Sequence, residues 1–441
     1  MTYMHSIISS LIPMSLLDDD SKIPDFVLRK HTKPITALEF VRVPIAMQRR
    51  AITNDKETHD HSLTLKPFLL SGDQEGNVKL WDMATRRPAI ERQCHQSHIL
   101  TILQLGARDG TIDHRYFGLI ITHGRDNCVK FWRLFDQQGK FTFTQVYDLP
   151  ENALNFSNVD VMENELIAPN TMNSNAFDVY DIEFITDDVV NDHRLVRDME
   201  AVDVFEAASA SGKFTFEEFT LKRDSDESVN RVDKFGIIMK LLWVSDDTVY
   251  IGYESGHVAS IRINPKSKKY EVLSVTKHHY PQPVLSLSYD PVQNIVISAS
   301  IASQIVIYDV STQAATAIKL DNIGKISSIS TIKDKLVLSS WSGLIRFYTF
   351  DKSTYTLEYH HSFKKPKGMI AGDLNIMGNL QDTTGPKKNT VTKPNCMTMV
   401  ERSTVPLSLK SKLSRRDVTV IESSFLSVGY DDGTISIYTD L

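Results

Sequence analysis

The sequence predicts an all-β fold, a seven-bladed β-propeller closed by its N-terminal strand and interrupted by two long loop insertions. Three observations lead there. A paired-strand pattern recurs seven times along the 441 residues. Its copies are spaced by a nearly constant unit with two longer gaps. A lone strand near the N-terminus matches the outer strand that the last copy lacks.

The chain opens with residues 1–24. Ser6 to Leu17 is mostly apolar, but no Lys or Arg precedes it, Pro13 interrupts it, and Asp18-Asp19-Asp20 stands where a small-residue cleavage site belongs. This reads as a disordered N-terminal extension, not a secretory signal, and residues 25–441 as the propeller. Phe26-Val27-Leu28-Arg29 comes next, a strand with no blade of its own.

The first copy runs from His31 through Ile35-Thr36-Ala37-Leu38 to Leu69-Leu70-Ser71-Gly72-Asp73-Gln74-Glu75-Gly76-Asn77-Val78-Lys79-Leu80-Trp81-Asp82. It is two short strands around a tight acidic-glycine turn. The second has His95, Ile99 to Leu103, then Ile121-Thr122-His123-Gly124-Arg125-Asp126-Asn127 and Val129-Lys130-Phe131-Trp132. Weaker copies follow at Leu166 to Asp181, Val249 to Ile261, Ile295 to Asp309, Leu336 to Tyr348 and Phe425 to Tyr438. Each alternates apolar and polar residues on both sides of a turn, as half-buried hairpins do. Gly76, Gly256, Gly343 and Gly433 supply the positive φ that such turns need.

The residues ending the copies are Trp81, Trp132, Tyr180, Ile261, Tyr308, Tyr348 and Tyr438, with successive gaps of 51, 48, 81, 47, 40 and 90. Four gaps fit one propeller unit of about 40–45 residues with modest loops. The other two each carry roughly 40 more, with too few clean strands for a hidden blade. The seventh copy ends at its third strand, so Phe26 to Arg29 is expected to complete it, since an open ring would leave bare strand edges.

The two best copies closely resemble WD40 repeats, in which a His, a Ser or Thr, an Asp and a Trp form a hydrogen-bonded line inside the blade. The resemblance implies such a line from His95, Thr122, Asp126 and Trp132 in blade 2. In blade 1 it implies His31, Ser71 and Trp81, with Glu75 where Asp is usual, a departure that weakens the expected geometry. A His between an acid and a hydroxyl in such a repeat is a satisfied core histidine, so the role is structural and no catalytic residue is assigned.

The insertions differ in charge. Residues 183–235 hold 14 acidic and 7 basic side chains, with Phe214, Phe216 and Phe219 among them. They read as a solvated loop or as an acidic docking surface. Residues 352–417 hold 12 basic and 5 acidic side chains, clustered at Lys364-Lys365-Pro366-Lys367 and Lys410 to Arg416, with a linker-like stretch from Gly378 to Lys393. A solvated loop and a nuclear-import signal are the readings there, as no interleaved aromatics suggest base stacking.

Composition narrows the classes. The formal net charge of −6 leaves no whole-chain basic footprint for nucleic acid. Three cysteines, Cys94, Cys128 and Cys396, exclude a disulfide framework and a Cys-based zinc module, and fit a reducing compartment. No apolar run of 18 residues exists, so no transmembrane helix is expected. His59-Asp60-His61, His278-His279 and His360-His361 lack further ligands at metal-site spacing. Phosphate-binding, hydrolase and kinase motifs are missing, so neither cofactor nor metal is expected.

Over nearly its whole length from Phe26, the chain resembles the fungal ASTRA-associated protein 1 family. The resemblance rests on Lys30-His31-Thr32-Lys33-Pro34-Ile35-Thr36-Ala37-Leu38, on the Ser71 to Asp82 hairpin, and on His123-Gly124-Arg125-Asp126-Asn127 with Phe131-Trp132. Degenerate middle blades and Pro394-Asn395-Cys396 before the Val428-Gly429-Tyr430 hairpin add to it. It implies a non-catalytic scaffold subunit of a nuclear complex, linked to chromatin remodelling and to maturation of phosphatidylinositol-3-kinase-related kinases. The implied partners are protein subunits of the ASTRA and kinase co-chaperone assembly, with the chain a monomer inside a hetero-complex and without direct nucleic-acid or membrane contact. Nucleus, with cytoplasm as a second place, is the implied location. The alternative is a generic WD40 adaptor, such as a ubiquitin-ligase substrate receptor or a trafficking scaffold.

Overall fold

A computed structural model describes residues 22–45, 64–108, 111–112, 118–137, 140–151, 156–182, 196–212, 214, 234–264, 266–332, 335–365 and 391–440. Seven antiparallel sheets of four strands form a WD40 β-propeller. Blade 1 is Ile35–Pro44, Leu65–Asp73, Asn77–Asp82 and Arg87–Gln93, from the axis outward. Blade 2 is Ile99–Gln104, Leu119–Gly124, Cys128–Gln137 and Lys140–Pro150. Blade 3 is Asp160–Met162, Glu165–Pro169, Phe177–Asp181 and Val196–Val202, and blade 4 is Ile238–Ser245, Thr248–Tyr253, Val258–Ile263 and Tyr270–Thr276. Blade 5 is Val284–Asp290, Ile295–Ser300, Gln304–Asp309 and Ala315–Lys319, and blade 6 is Ile326–Ile332, Lys335–Ser340, Leu344–Asp351 and Thr356–Lys364.

Blade 7 joins the two ends of the sequence. Pro394–Val400, Phe425–Tyr430 and Thr434–Thr439 come from the C-terminal side, and Phe26–Arg29 is the outer strand, pairing Phe26 with Ile437 and Arg29 with Thr434. Asp25 reinforces the clasp, since its carboxylate accepts hydrogen bonds from the Thr439 backbone N–H (2.8 Å) and hydroxyl (2.9 Å). The expected closure is therefore present.

The core is not one cluster but seven wedges, each filled by the facing sides of two adjacent blades. Alternation along each strand sends one set of side chains to the preceding blade and the other to the next. The seven residues that end the sequence copies all occupy one register position and all enter the wedge shared with the preceding blade. Trp132 meets Leu70 and Leu80 of blade 1, while Trp81 meets Ile437 of blade 7. All seven are at most 5% exposed, so Tyr or Ile replaces Trp without opening the wedge.

Glycine lets neighbouring blades seat closely on one another. A Cβ on Gly72 would lie 2.6 Å from Ile99 Cβ of the next blade, and one on Gly429 would lie 2.5 Å from Ile35 Cγ2. The fully buried residue that opens the next blade seats directly on this bare backbone. Polar side chains add stitches near the axis. The Gln104 amide both accepts from the Arg42 N–H (2.7 Å) and donates to its carbonyl (2.8 Å), tying blade 2 to blade 1. Asn158 does the same to Leu241 (3.0 and 2.7 Å), tying the blade 3 entry to blade 4.

Neither charged stretch is a single loop, which corrects the expected domain map. Within 183–235, Val196–Val202 is the outer strand of blade 3, helix α1 (Val204–Ser211) follows, and Phe235 is buried in the blade 3–4 wedge. Within 352–417, Thr356–Lys364 is the outer strand of blade 6 and Pro394–Val400 the innermost strand of blade 7. Helices α2 (Leu407–Lys410) and α3 (Arg415–Glu422) then intervene before that blade's second strand. The period misled because the outer strands Val196–Val202 and Thr356–Lys364 carry charges and little apolar alternation, while the inner strand Pro394–Val400 directly follows the linker-like stretch. Most of the N-terminal extension, His59-Asp60-His61, Phe216, Phe219 and most of the linker-like stretch lie outside the described residues.

Candidate functional site

Histidine-centred lines of hydrogen bonds run through blades 1 and 2. In blade 2, His95 Nδ1 lies 2.7 Å from Asp126 Oδ1 and Nε2 lies 2.8 Å from Thr122 Oγ1, while the Trp132 indole N–H donates to that same hydroxyl at 2.7 Å. The hydrogen-bond network assigns the protons. A neutral His95 donates from Nδ1 to the carboxylate and accepts from the threonine at Nε2. Burial drives the His95 imidazole below its usual pKa against the pull of Asp126.

Blade 1 forms the same line with a different acid. His31 Nδ1 lies 2.7 Å from Asp73 Oδ2, Nε2 lies 2.7 Å from Ser71 Oγ, and Trp81 donates to Ser71 at 2.8 Å. Glu75, expected in this role, is instead half-exposed and meets Lys33 at 3.0 Å. The reason is positional. Asp73 stands two residues after the hydroxyl, as Gly124 does in blade 2, and a Cβ on Gly124 would lie 2.1 Å from His95 Nδ1. A carboxylate at that position reaches the imidazole directly, and glycine there leaves the place to the turn residue Asp126. Asp73 also accepts the backbone N–H groups of Glu75 (2.9 Å) and Asn77 (3.0 Å), so it organises the turn as well. Burial alone would raise its carboxyl, yet the bonds from His31 and Asn77 outweigh burial and hold it below the usual range.

Sequence reasoning discounted His279, which the structure places in a third, shortened line. Its Nε2 lies 2.7 Å from Ser298 Oγ, and that hydroxyl meets the Tyr308 hydroxyl at 3.2 Å. No acid completes it, so Nδ1 is buried without a partner and burial lowers the imidazole to about 4. His278 beside it is exposed, so the pair does not converge on a metal. Blade 3 substitutes Asp178, which accepts from Asn170 (2.7 Å) and from Tyr180 (3.0 Å). Between blades 2 and 3, His123 and Glu151 form a fully buried pair at 2.8 Å. The only sequence signal for it was a histidine inside an apolar strand.

An acid, an imidazole and a hydroxyl in line have the makings of a nucleophilic triad, but Ser71 and Thr122 are completely buried and each already accepts an indole N–H. The hydroxyl therefore has no path to a substrate. Among the described residues, no group of three or more His, Cys, Asp or Glu side chains converges on a metal position. No helix among them is long and apolar enough to cross a membrane.

The innermost strands enclose a central cavity of about 340 Å³ lined by Glu39, Asp160, Lys240, Asn158, Thr101 and Ser328, among others. Burial, then the nearby Asp160 charge, pushes the Glu39 carboxyl up to about 8. Burial lowers Lys240, which has no acidic partner among the described residues. The basic clusters are partly spent on the fold. Lys365 is buried against Asp432 and Thr434, and Lys410 pairs with Glu422 at 2.7 Å. Lys66 holds both Asp82 (2.9 Å) and Asp417 (2.6 Å), which pins helix α3 to blade 1.

Comparison with known proteins agrees with the ring geometry. A family model described as ASTRA-associated protein 1 matches residues 24–438, from the clasp strand to the last strand. The chain is 30% identical over 357 residues to ASTRA-associated protein 1 of Komagataella phaffii, covering 75% of this chain and 74% of the relative. It is 25% identical to the protein of that name from Saccharomyces cerevisiae strain JAY291, covering 94% and 96%. Among solved structures it is similar to Saccharomyces cerevisiae Sqt1, with a TM-score of 0.55 and 10% identity over 95% of this chain and 99% of the other. At that identity the likeness speaks for the fold alone.

Proposed function

As the chain belongs to the ASTRA-associated protein 1 family, we propose that it is a non-catalytic scaffold subunit of the ASTRA complex. The carrying observation is the match over the entire ring, clasp included, together with polar lines whose hydroxyls are closed to substrates. A rigid ring suits such a role, because the blades hold shape while loops on its two faces are free to specialise. Its partners in this reading are protein subunits of ASTRA and of the co-chaperone assembly that matures phosphatidylinositol-3-kinase-related kinases. The chain acts there as a monomer within a hetero-complex, in the nucleus, in a chromatin-linked setting and without direct nucleic-acid contact. The exposed cations Lys364, Lys412, Arg415 and Arg416 support the nuclear location in this reading.

Tagging the full chain at native level and identifying co-purifying proteins tests the reading. Recovery of ASTRA and co-chaperone subunits from nuclear extract is the expected result. Recovery of only cullin-type ligase or vesicle-coat components, with the tagged protein outside the nucleus, favours the adaptor alternative.

A further inference from the structure

The segment between the first two strands of blade 7 does more than bridge them. Residues 401–423 fold as a helical hairpin anchored on its inner side. Val405, Val420 and Ile421 are buried, the Arg42 guanidinium donates to Ser403 (2.8 Å) and to the Glu401 carbonyl (3.1 Å), and Lys66 grips Asp417. Ser414 caps α3, its hydroxyl oxygen accepting the Asp417 N–H at 3.1 Å.

Charge is sorted across this hairpin. Its three acids face intramolecular cations: Asp417 meets Lys66, Glu422 meets Lys410, and Glu401 lies beside Arg42. Four cations, Arg402, Lys412, Arg415 and Arg416, are exposed with no acidic partner among the described residues. Between Arg402 and Lys412 in sequence stands Leu407, 85% exposed, with Leu409 and Leu413 half-buried. This local excess sits on a chain of net charge −6. One ordered hairpin thus presents both unpaired positive charge and an exposed apolar side chain.

We propose that the α2–α3 hairpin is a docking surface for an acidic protein segment that brings an apolar side chain against Leu407. Charge complementarity identifies the occupant, because every acid of the hairpin is already engaged and the four remaining cations have no counter-charge among the described residues. The exposed leucine of the hairpin favours a protein over a polynucleotide, since residues 401–423 carry no aromatic side chain for base stacking. The inference rests on the scaffold reading, as it names the face through which a subunit of the assembly would attach.

The test uses the full chain and a labelled 20-residue helical peptide of Glu, Ala and Leu with its leucines on one face. Two variants accompany it: Arg402→Ser/Lys412→Ser/Arg415→Ser/Arg416→Ser, and Leu407→Ser. All altered side chains are exposed, so melting behaviour should stay at wild type and show that the fold is kept. Peptide affinity should fall about tenfold or more in the fourfold variant, with salt weakening the wild-type encounter. A smaller drop of roughly threefold to tenfold is expected for Leu407→Ser, from lost apolar contact. Absence of peptide binding, unchanged affinity in both variants, or tighter binding of a 30-base-pair duplex or phosphatidylserine vesicles than of the peptide would overturn the proposal. Co-purification separates the two levels. If wild type recovers ASTRA subunits and the fourfold variant recovers them equally, the docking inference fails. If wild type recovers none, the scaffold reading fails.

Discussion

Replacing Asp73 by Ala should damage blade 1 far more than replacing Glu75. Asp73 accepts from His31 Nδ1 at 2.7 Å and from two backbone N–H groups, and it is 1% exposed. Its loss strands a buried imidazole N–H, at about 1–3 kcal/mol, and removes charge-assisted bonds worth about 1.5–3 kcal/mol. The turn amides recover part of this from water, so the total comes to roughly 3–4 kcal/mol. The Glu75 side chain has only an exposed ion pair with Lys33, worth about 0–1 kcal/mol. Urea denaturation followed by tryptophan fluorescence is a direct assay, because the Trp81 indole donates to Ser71 within the same line. The carboxyl of Asp73 is depressed in the fold, so its contribution is complete above its unfolded pKa of about 3.9 and disappears as pH falls through the lower folded value. The gap between wild type and Asp73→Ala should therefore narrow only in strong acid. Equal loss in the two variants, or greater loss in Glu75→Ala, would refute the assignment of the blade 1 acid.

Three further outcomes follow from the same geometry. Glu39 has its carboxyl raised to about 8, so the folded state holds an extra proton between pH 4.5 and 8 and stability falls as pH rises through that window. Glu39→Gln should flatten the fall and stabilise the protein above pH 8 by about 2 kcal/mol, which is half the unscreened shift because the side chain borders the central cavity; thermal melts at pH 5 and pH 9 that shift alike would contradict this. Deleting residues 1–30 removes the outer strand of blade 7, buried Leu28 and the Asp25 clasp, at about 3–5 kcal/mol, and a truncated chain with an unaltered melting curve would defeat the closure account. Gly72→Ala drives a methyl against Ile99 and should cost about 1–3 kcal/mol, with partial rescue in an Ile99→Ala background, whereas additive losses would show that the two residues do not collide.

The sequence by itself determined the ring. Seven apolar positions at one register, the hairpin turns, and a lone strand for an incomplete last blade are local periodic features, and strand alternation converts them into wedges wherever the chain closes. It also marked His95, Thr122, Asp126 and Trp132, which the fold brings within 2.7–2.8 Å of one another along the line. The family resemblance was legible in the same stretches, and the family match spans them. Tertiary structure decided what periodicity does not encode. Asp73 and Glu75 are equally acidic in the text, and only the close approach of position 73 to the His31 ring selects between them. That His279 and His123 are buried, and what they meet there, is decided by the blades on either side closing over them. The charged stretches hid the outer strands of blades 3 and 6, since a strand at the rim is not required to be apolar on its solvent side. Which cations are free is likewise a three-dimensional outcome: Lys66, more than 300 residues away in sequence, takes Asp417 out of the balance and leaves Arg415 and Arg416 facing outward.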